Sequence, residues 1–490
     1  MTILGLDIGS VHIRAVSAEL NSDNELKITG IGKAPSEGIK KGVITNIELA
    51  SKSIKQAYEQ ASLISGAQCD KVVVSVSGAY VKSVDSVGVI TISNTKSDKN
   101  EKNNANGSNI GINQISRAIK TAMYNATIPP NYEKLHVLPY NFKVEEQNDI
   151  EDPLGMCGSR LEVSTHIILV QVGTLANLKK VIENAGIAVD NIVLSGYASS
   201  IATLNKDEKE LGAVLIDMGG ATCNMVIHSG NSIRSNEFLS VGSVNITTDL
   251  SVALHTPMVN AENVKLKYRD LKLQGSDIIE LPVLANEQSM HEVSLNVIEK
   301  VIYARAEETL MILAKMLEKT NLKNLASAGI VLTGGMTKLD GIYELACAVF
   351  NNMPVRMAKP RELSGLVEVL RDPENSCAIG LCMYGAGQFT PYEIDSNGNM
   401  RYKGEFNASL NNAKSSKFDI SNFEYENNNN DFSKFTKDND KNENEIKNIK
   451  EDKSGVLSGL KKGHPDIGLP KEEMELNIFA KIWQKLGQIF

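Results

Sequence analysis

The sequence has few of the features that mark secreted, metal-binding, nucleic-acid-binding or membrane-spanning proteins. Its 490 residues include six cysteines, with no C-x-x-C pair and no histidine at metal-site spacing, which is typical of reduced cytoplasmic thiols. A formal net charge of −8 gives no support for a nucleic-acid partner, because such proteins usually carry a basic domain or stripe. No apolar run reaches the roughly 18 residues of a spanning helix, and no signal peptide precedes the first strand pattern. We therefore expect a soluble cytosolic chain without a nucleic-acid partner.

The most informative stretch is Leu211–Gly230, LGAVLIDMGGATCNMVIHSG, in a chain long enough for two or more domains. Two apolar runs flank Asp217, the pair Gly219 and Gly220, and Thr222, and this pattern predicts two strands joined by a glycine turn. Such a turn lets backbone N–H groups approach a phosphate, and the aspartate could hold a hydrated magnesium ion. For this stretch alone, an ordinary β-hairpin is the alternative.

The same pattern occurs at the start of the chain. Ile3–Arg14 reads ILGLDIGSVHIR, a short apolar strand followed by Asp7, Gly9, Ser10 and a second strand. Two hairpins, each led by an aspartate, indicate an internal duplication in which two similar halves face one ligand.

A third glycine-rich site lies in Gly329–Gly341, GIVLTGGMTKLDG. A strand at Ile330–Thr333 runs into Gly334 and Gly335, and a helix is predicted to begin near Leu339–Gly341. Paired glycines at a strand-to-helix turn suit a nucleotide that lies against the backbone at a helix N-terminus. A plain turn between a strand and a helix is the alternative.

Residues 81–164 differ in composition from their flanks and predict a small α/β domain inserted into the first half. Within them we expect a strand pair near 84–92, a polar loop at 93–109, a helix at 114–126 and a strand at 135–144. Elsewhere the patterns predict helices at 47–65, 175–185 and 294–319 and strands at 71–77, 165–172 and 192–195.

The end of the chain changes character from about Thr390. Residues 395–455 are rich in Asn, Lys, Asp, Glu and Ser, so we expect a disordered linker of roughly 85 residues with a reach of about 50 Å. Beyond Pro470 the pattern predicts an amphipathic helix, and we interpret this helix as an interfacial membrane anchor. A helix that docks on the core or in a partner's groove is the alternative. Its apolar face comprises Leu476, Ile478, Phe479, Ile482, Trp483, Leu486, Ile489 and Phe490, and its polar side includes Lys481, Gln484, Lys485 and Gln488.

Several of these stretches resemble the bacterial cell-division protein FtsA, a family of the actin, Hsp70 and sugar-kinase superfamily. Gly5–Glu19 is similar to that family's first phosphate loop, and Gly196–Gly230 to its connecting helix and second phosphate loop. His136–Val170, HVLPYNFKVEEQNDIEDPLGMCGSRLEVSTHIILV, resembles a segment that is specific to the family within the superfamily. GIVLTGGMTKLDG resembles its adenosine loop, and the C-terminal amphipathic helix completes the pattern.

The resemblance implies an α/β, actin-like two-lobed fold of duplicated RNase H-like halves, with a small inserted α/β domain, a disordered C-terminal linker and a terminal amphipathic helix. The implied boundaries are 1–80, 165–200 and 357–389 for the first lobe core (1A), 81–164 for the inserted domain (1C), 201–245 and 301–356 for the second lobe core (2A), 246–300 for subdomain 2B, 390–473 for the linker and 474–490 for the membrane-targeting helix.

The resemblance also implies ATP and Mg²⁺ as cofactors, bound between the halves. Asp7, Gly9 and Ser10 would face the phosphates, and Asp7 and Asp217 would flank the magnesium ion through water. The other implied nucleotide-binding residues are Gly219, Gly220 and Thr222 in the second phosphate loop, Gly334 and Gly335 in the adenosine loop, and Glu262 and Lys265 on a helix beside the nucleoside.

The implied function is an actin-like cell-division protein that polymerises on the inner face of the cytoplasmic membrane and tethers the ring of the tubulin-like protein FtsZ at the division site. The implied partners are FtsZ, further copies of the chain, membrane lipid and other division proteins. Vigorous hydrolases of this fold carry a glutamate or glutamine on the helix before the second phosphate loop, and Ser195–Leu204 has neither. We therefore expect slow or absent hydrolysis, with ATP holding a closed conformation.

Four residues depart from the family pattern. Ala221 stands in place of a third glycine, Val11 and His12 replace a small residue and a lysine, and Tyr140 replaces a glutamine. Ala221, Val11 and His12 bear on phosphate contact and turnover.

The alternative functions are a small-molecule kinase and a pilus-assembly or reactivating ATPase of the same superfamily.

Overall fold

A computed structural model of the chain describes residues 1–21, 25–66, 69–92, 108–275, 277–365 and 371–402. The predicted amphipathic helix and the linker from residue 403 onward lie outside these ranges. Within them, no helix is both long and apolar enough to cross a membrane.

The described strands are β1 (Thr2–Ile8), β2 (His12–Leu20), β3 (Leu26–Pro35), β4 (Ile39–Lys40), β5 (Val43–Ile44), β6 (Lys71–Val76), β7 (Val81–Thr91), β8 (Ser108–Asn109), β9 (Tyr132–Val144), β10 (Gln147–Ile150), β11 (Cys157–Gly158), β12 (Arg160–Gln171), β13 (Asn191–Leu194), β14 (Ala213–Met218), β15 (Cys223–Ser229), β16 (Ser232–Leu239), β17 (Ile278–Val283), β18 (Asn286–Ser294), β19 (Ile330–Thr333), β20 (Val355–Met357), β21 (Ser364–Gly365), β22 (Glu393–Ile394) and β23 (Met400–Arg401). The helices are α1 (Ile47–Ser65), α2 (Ile112–Asn125), α3 (Val172–Asn184), α4 (Ser195–Thr203), α5 (Lys206–Leu211), α6 (Ser243–Ala253), α7 (Met258–Leu273), α8 (Leu295–Lys319), α9 (Ile342–Val349) and α10 (Ser376–Gly385). Within the described ranges, 3₁₀ turns lie at Lys323–Leu325, Gly335–Lys338 and Pro373–Asn375.

Two sheets repeat one topology, which confirms the predicted duplication. In the first, β1 pairs in parallel with β6 and in antiparallel with β2, and β3 follows β2. In the second, β14 pairs in parallel with β19 and in antiparallel with β15, and β16 follows β15. The strand orders β13-β6-β1-β2-β3 and β20-β19-β14-β15-β16 therefore correspond strand for strand.

Local sequence explains how the first sheet is covered. Helix α1 begins where the Asn46 side chain accepts a hydrogen bond from the Leu49 amide (3.1 Å), and it ends at Gly66 in the left-handed conformation, φ 65°. It crosses β3 at Gly30 and Gly32, where a Cβ would lie 2.4 Å and 1.9 Å from helix carbonyl oxygens. Only glycine permits this close approach.

Helices α4 and α10 pack against each other and link the two lobes. α10 also packs on β1, and α4 packs on β14 and β15. A Cβ on Gly380 would lie 1.8 Å from the Ala198 carbonyl oxygen, so the two helices cross at backbone contact. This arrangement fixes the two aspartate-led hairpins relative to each other.

The inserted region forms its own sheet of order β23-β22-β9-β12-β7, with α2 packed on one face. The expected strand pair near 84–92 is a single strand, β7, whose partner β12 continues without a break past the predicted boundary at 164. The Arg234 guanidinium on β16 stacks over the Tyr140 ring on β9, 3.9 Å from its centroid. The unusual Tyr140 therefore lies in a contact between the inserted sheet and the second lobe.

The predicted start of the linker at residue 390 is wrong. Residues 393–401 contribute β22 and β23 to the inserted sheet, and Glu393 is fully buried. This segment contains only isolated apolar residues, so its composition resembles a linker. It is ordered because Glu393 meets buried hydroxyls and a buried guanidinium supplied by other parts of the fold.

Candidate nucleotide-binding cleft

The first hairpin presents Asp7 at the end of β1. The Asp7 carboxylate accepts a hydrogen bond from the Ser75 hydroxyl (2.9 Å), which itself accepts from the Ile8 amide (2.8 Å). In the turn, a Cβ on Gly9 would lie 2.4 Å from the His12 carbonyl oxygen, so the tight turn requires glycine there. Ser75 thus orients the aspartate toward the space between the lobes.

The second hairpin presents Asp217 at the corresponding position of β14. Its carboxylate accepts a hydrogen bond from the Ser199 hydroxyl on α4 (2.6 Å). Burial, reinforced by the nearby charge of Asp7, raises the pKa of Asp217 to about 6. Two carboxylates that face one space in this way attract a cation.

The two hairpins touch each other through Gly220. A Cβ on Gly220 would lie 2.4 Å from a methyl group of Val11, so the residue that departs from the family pattern in the first loop packs against the second. The carbonyl oxygens of Gly219 and Gly220 accept the Ser243 and Val244 amides (3.2 and 2.7 Å), which joins the second loop to the start of α6.

The third glycine site lies against the second hairpin, beside Asp217. Gly334 has φ 93°, and a Cβ there would lie 2.4 Å from the Asp217 carboxylate and 2.6 Å from the Met218 carbonyl oxygen. Gly335 begins the 3₁₀ turn, so the predicted helix starts slightly later than expected, as α9. Glycine is needed at 334 because only glycine lets this loop lie against β14.

Helix α7 supplies a paired cation and anion. The Lys265 ammonium lies 2.7 Å from the Glu262 carboxylate and donates to the Thr247 hydroxyl (2.9 Å) and the Ser243 carbonyl oxygen (3.2 Å). Glu262 also accepts from Thr247. Burial lowers the pKa of Lys265. The pair thereby ties α7 to the N-terminal turn of α6.

All eleven residues predicted to bind the nucleotide line one cleft of about 580 Å³. They are Asp7, Gly9, Ser10, Asp217, Gly219, Gly220, Thr222, Glu262, Lys265, Gly334 and Gly335. The volume is within the usual range of small-molecule sites. Their contacts with a nucleotide belong to the proposal below.

The residues present suit a magnesium nucleotide. The described part of the chain holds no cluster of three or more metal-ligating side chains, so Asp7 and Asp217 would leave most coordination positions to water and phosphate oxygens, as Mg²⁺ prefers. At Gly9, Gly219, Gly220 and Gly334 a Cβ would lie within 2.8 Å of a neighbouring protein atom, so glycine keeps these turns tight around the cleft.

Several cleft residues were missed from the sequence. Ser75 and Ser199 position the aspartates, and nothing in their local sequence marks that role. Arg14 and Glu374, which line the cleft itself, were missed as well. Arg14 ends the motif Ile3–Arg14, and the predicted hairpin places it opposite Asp7, so the sequence did carry a signal for it.

Comparisons with known proteins give the family of the chain. The family model "Cell division protein FtsA" matches residues 214–380, and "SHS2 domain inserted in FTSA" matches residues 78–169. The cell division protein FtsA of Helicobacter pylori (strain ATCC 700392 / 26695) is 38% identical over 431 residues, which cover 82% of this chain and 85% of that protein. The chain belongs to the FtsA family. FtsA of Pseudomonas aeruginosa is 34% identical over 386 residues, which cover 78% and 89% of the two chains.

Among solved structures, the chain resembles one from the PilM-PilN type IV pilus biogenesis complex, with a TM-score of 0.55 at 16% identity, covering 78% of this chain and 98% of that one. At this identity the likeness concerns the fold alone. Together with membership of the FtsA family it confirms the expected actin-like fold with an inserted domain. The family identifies an actin-like cell-division protein and implies nucleotide binding, division-related partners and a role at the division site.

Proposed function

We propose that the chain binds ATP and Mg²⁺ in this cleft and uses the bound nucleotide to set a closed, polymer-forming conformation. The observation that supports this most directly is the meeting of the glycine turns of both hairpins with Asp7 and Asp217. Magnesium, when bound, neutralises phosphate charge through its water shell. The chain's own part is to orient both carboxylates, through Ser75 and Ser199, and to offer backbone N–H groups to the phosphates.

We infer that hydrolysis is slow, because α4, on the segment before the second phosphate loop, carries no glutamate or glutamine that could orient water. Ser199 on α4 donates to Asp217. Burial opposes ionisation of Glu374, but the charges of Arg14 and Lys33 prevail and lower the pKa of Glu374 to about 2, so this carboxylate is a poor base. A phosphate-release assay tests this inference, and turnover near or above about one per second would contradict it.

We further propose that the chain tethers FtsZ to the cytoplasmic face of the membrane at the division site, with other division proteins as further partners. One amphipathic helix gives weak, reversible membrane binding, but a polymer presents many helices at once, so avidity couples assembly to membrane residence. The anchor face is the one defined above around Phe479 and Trp483. The predicted domain boundaries other than those at 164 and 390 are part of this proposal.

Sedimentation with anionic phospholipid vesicles tests nucleotide dependence, polymer assembly and membrane binding in one experiment. We expect the full chain to pellet with vesicles in ATP and Mg²⁺, and the chain without residues 474–490 to stay in the supernatant. Trp483→Glu should release the protein, whereas Gln484→Glu adds the same charge on the polar side and should not. Equal pelleting of both variants would refute the anchor.

A further inference from the structure

A second functional feature of the cleft is a buried arginine that the family resemblance does not assign. Arg14 on β2 lies directly opposite Asp7 in the β1–β2 register, so both side chains point to the same face of the sheet. Only 9% of Arg14 is exposed, and the residue lines the cleft. Its guanidinium is therefore a fixed positive charge beside two aspartates.

The hydrogen bonds of Arg14 are incomplete. One terminal nitrogen donates to the Glu374 carboxylate (2.7 Å). The Nε–H is buried and has no partner among the described residues. A buried donor without an acceptor is unfavourable, and a guanidinium is suited to phosphate oxygens.

Glu374 connects this arginine to the adenosine loop. It lies in the turn Pro373–Asn375, whose first carbonyl oxygen accepts the Gly334 amide (3.2 Å). The same carboxylate also accepts from the Lys33 ammonium (3.1 Å). One carboxylate is thus shared by two cations at the wall of the cleft.

His12 adds no charge to this cluster near neutral pH. Burial, reinforced by the charges of Lys33 and Arg14, lowers the pKa of His12 to about 4. The imidazole is therefore neutral when nucleotide binding is measured at pH 7, and Arg14 is the buried cation that faces Asp7.

We propose that Arg14 binds a phosphate group of the nucleotide through its incompletely paired guanidinium, and that Glu374 competes with the phosphates for the same guanidinium. The inference rests on the proposed function, since it requires a nucleoside phosphate in the cleft. Arg14 then serves as a phosphate ligand, and Glu374 limits the affinity. Because Glu374 belongs to the turn that holds Gly334, phosphate binding also loosens a link between β2 and the adenosine loop.

The test is equilibrium binding of ATP and of adenosine to the full chain and its variants. Arg14→Gln should weaken ATP binding by about tenfold or more, because a charge-assisted hydrogen bond is lost, and should leave adenosine affinity within about twofold. Glu374→Gln should tighten ATP binding several-fold, because a competing negative charge is removed. Arg160→Gln, the same substitution at an exposed ion pair of the inserted sheet, is the matched control and should change neither affinity.

The outcomes separate this inference from the proposed function. If the unmodified chain binds adenosine but ATP no more tightly, the phosphate site of the proposed function is wrong. If it binds ATP tightly and Arg14→Gln leaves the affinity unchanged, or lowers ATP and adenosine equally, Arg14 has a structural role and the inference fails. Should Arg14→Gln not fold, Glu374→Gln decides, since weaker or unchanged ATP binding in that variant overturns the competition.

Discussion

The buried Glu393 allows the sharpest test of how the chain after α10 is held in the fold. Its carboxylate accepts hydrogen bonds from the hydroxyls of Tyr197 (2.8 Å) and Tyr384 (2.5 Å) and lies 3.6 Å from the Arg401 guanidinium. The Arg401 guanidinium stacks on the Tyr384 ring, 4.1 Å from its centroid. Three residues from three chain segments thus meet around one carboxylate.

Glu393→Ala should destabilise the fold by about 3–5 kcal/mol. The substitution takes the carboxyl group away from the buried Arg401 guanidinium, which lies 3.6 Å from it, and leaves buried polar groups without a partner. It also removes the acceptor of Tyr384, whereas Tyr197 keeps a bond to Thr390 (3.0 Å). These effects share one site and do not add.

The assay is urea denaturation followed by far-ultraviolet circular dichroism, because the only tryptophan, Trp483, lies outside the described fold. Glu362→Ala is the matched control. Glu362 also pairs with an arginine, Arg371, at 2.7 Å, but its side chain is 75% exposed, so about 0–1 kcal/mol is expected. A loss below about 1 kcal/mol for Glu393→Ala would refute the reasoning.

The pH dependence gives the same test a second readout. Burial raises the pKa of Glu393 to about 7 from its ordinary value of 4.5. The Glu393 carboxyl therefore binds its proton more tightly in the folded state than in the unfolded state. The resulting stabilisation of the fold is complete below pH 4.5 and is lost as the pH rises through about 7. The stability difference between the unmodified chain and Glu393→Ala should be larger at about pH 5 than at about pH 8, and the opposite trend would contradict the buried, protonated carboxyl.

Three further predictions concern the cleft and the contact between the inserted sheet and the second lobe. Because the pKa of Asp217 is raised to about 6, protonation should weaken magnesium-dependent ATP binding as the pH drops through that value. An ATP affinity that does not change between about pH 5 and about pH 7, roughly one unit either side of the pKa, would contradict this. Gly334→Ala places a Cβ 2.4 Å from the Asp217 carboxylate at φ 93°, so ATP binding should be lost in a calorimetric titration, and unchanged affinity would count against the cleft. A double-mutant cycle of Arg234→Ala and Tyr140→Ala should give a coupling of about 0.5–1 kcal/mol in denaturation, and no coupling would exclude the cation–π contact.

The sequence predicted the parts of the cleft whose signal is local. An aspartate at the end of an apolar strand, followed by glycines and a hydroxyl, defines a hairpin by itself, and two such hairpins imply a shared ligand. The positions of Gly219 and Gly220 followed from this pattern, and that of Gly334 followed from the paired glycines after a strand. At each of them a Cβ would lie within 2.8 Å of a neighbouring protein atom.

The parts that could not be predicted depend on contacts between distant segments. Ser75 and Ser199 are unremarkable in their own strand and helix, and their role arises because both reach an aspartate of a hairpin. Glu393 lies in a polar stretch that resembles a linker, and its burial depends on Tyr197 and Tyr384. Composition over a local window cannot reveal such partners.

Recruitment of FtsZ to vesicles tests the central claim most directly. Purified FtsZ is sedimented with anionic phospholipid vesicles in the presence of the full chain, with and without ATP and Mg²⁺, and in parallel with the chain lacking residues 474–490. We predict that FtsZ pellets with the vesicles only when the full chain and ATP are both present. FtsZ that pellets equally without the nucleotide, or with the shortened chain, would contradict nucleotide-dependent membrane tethering.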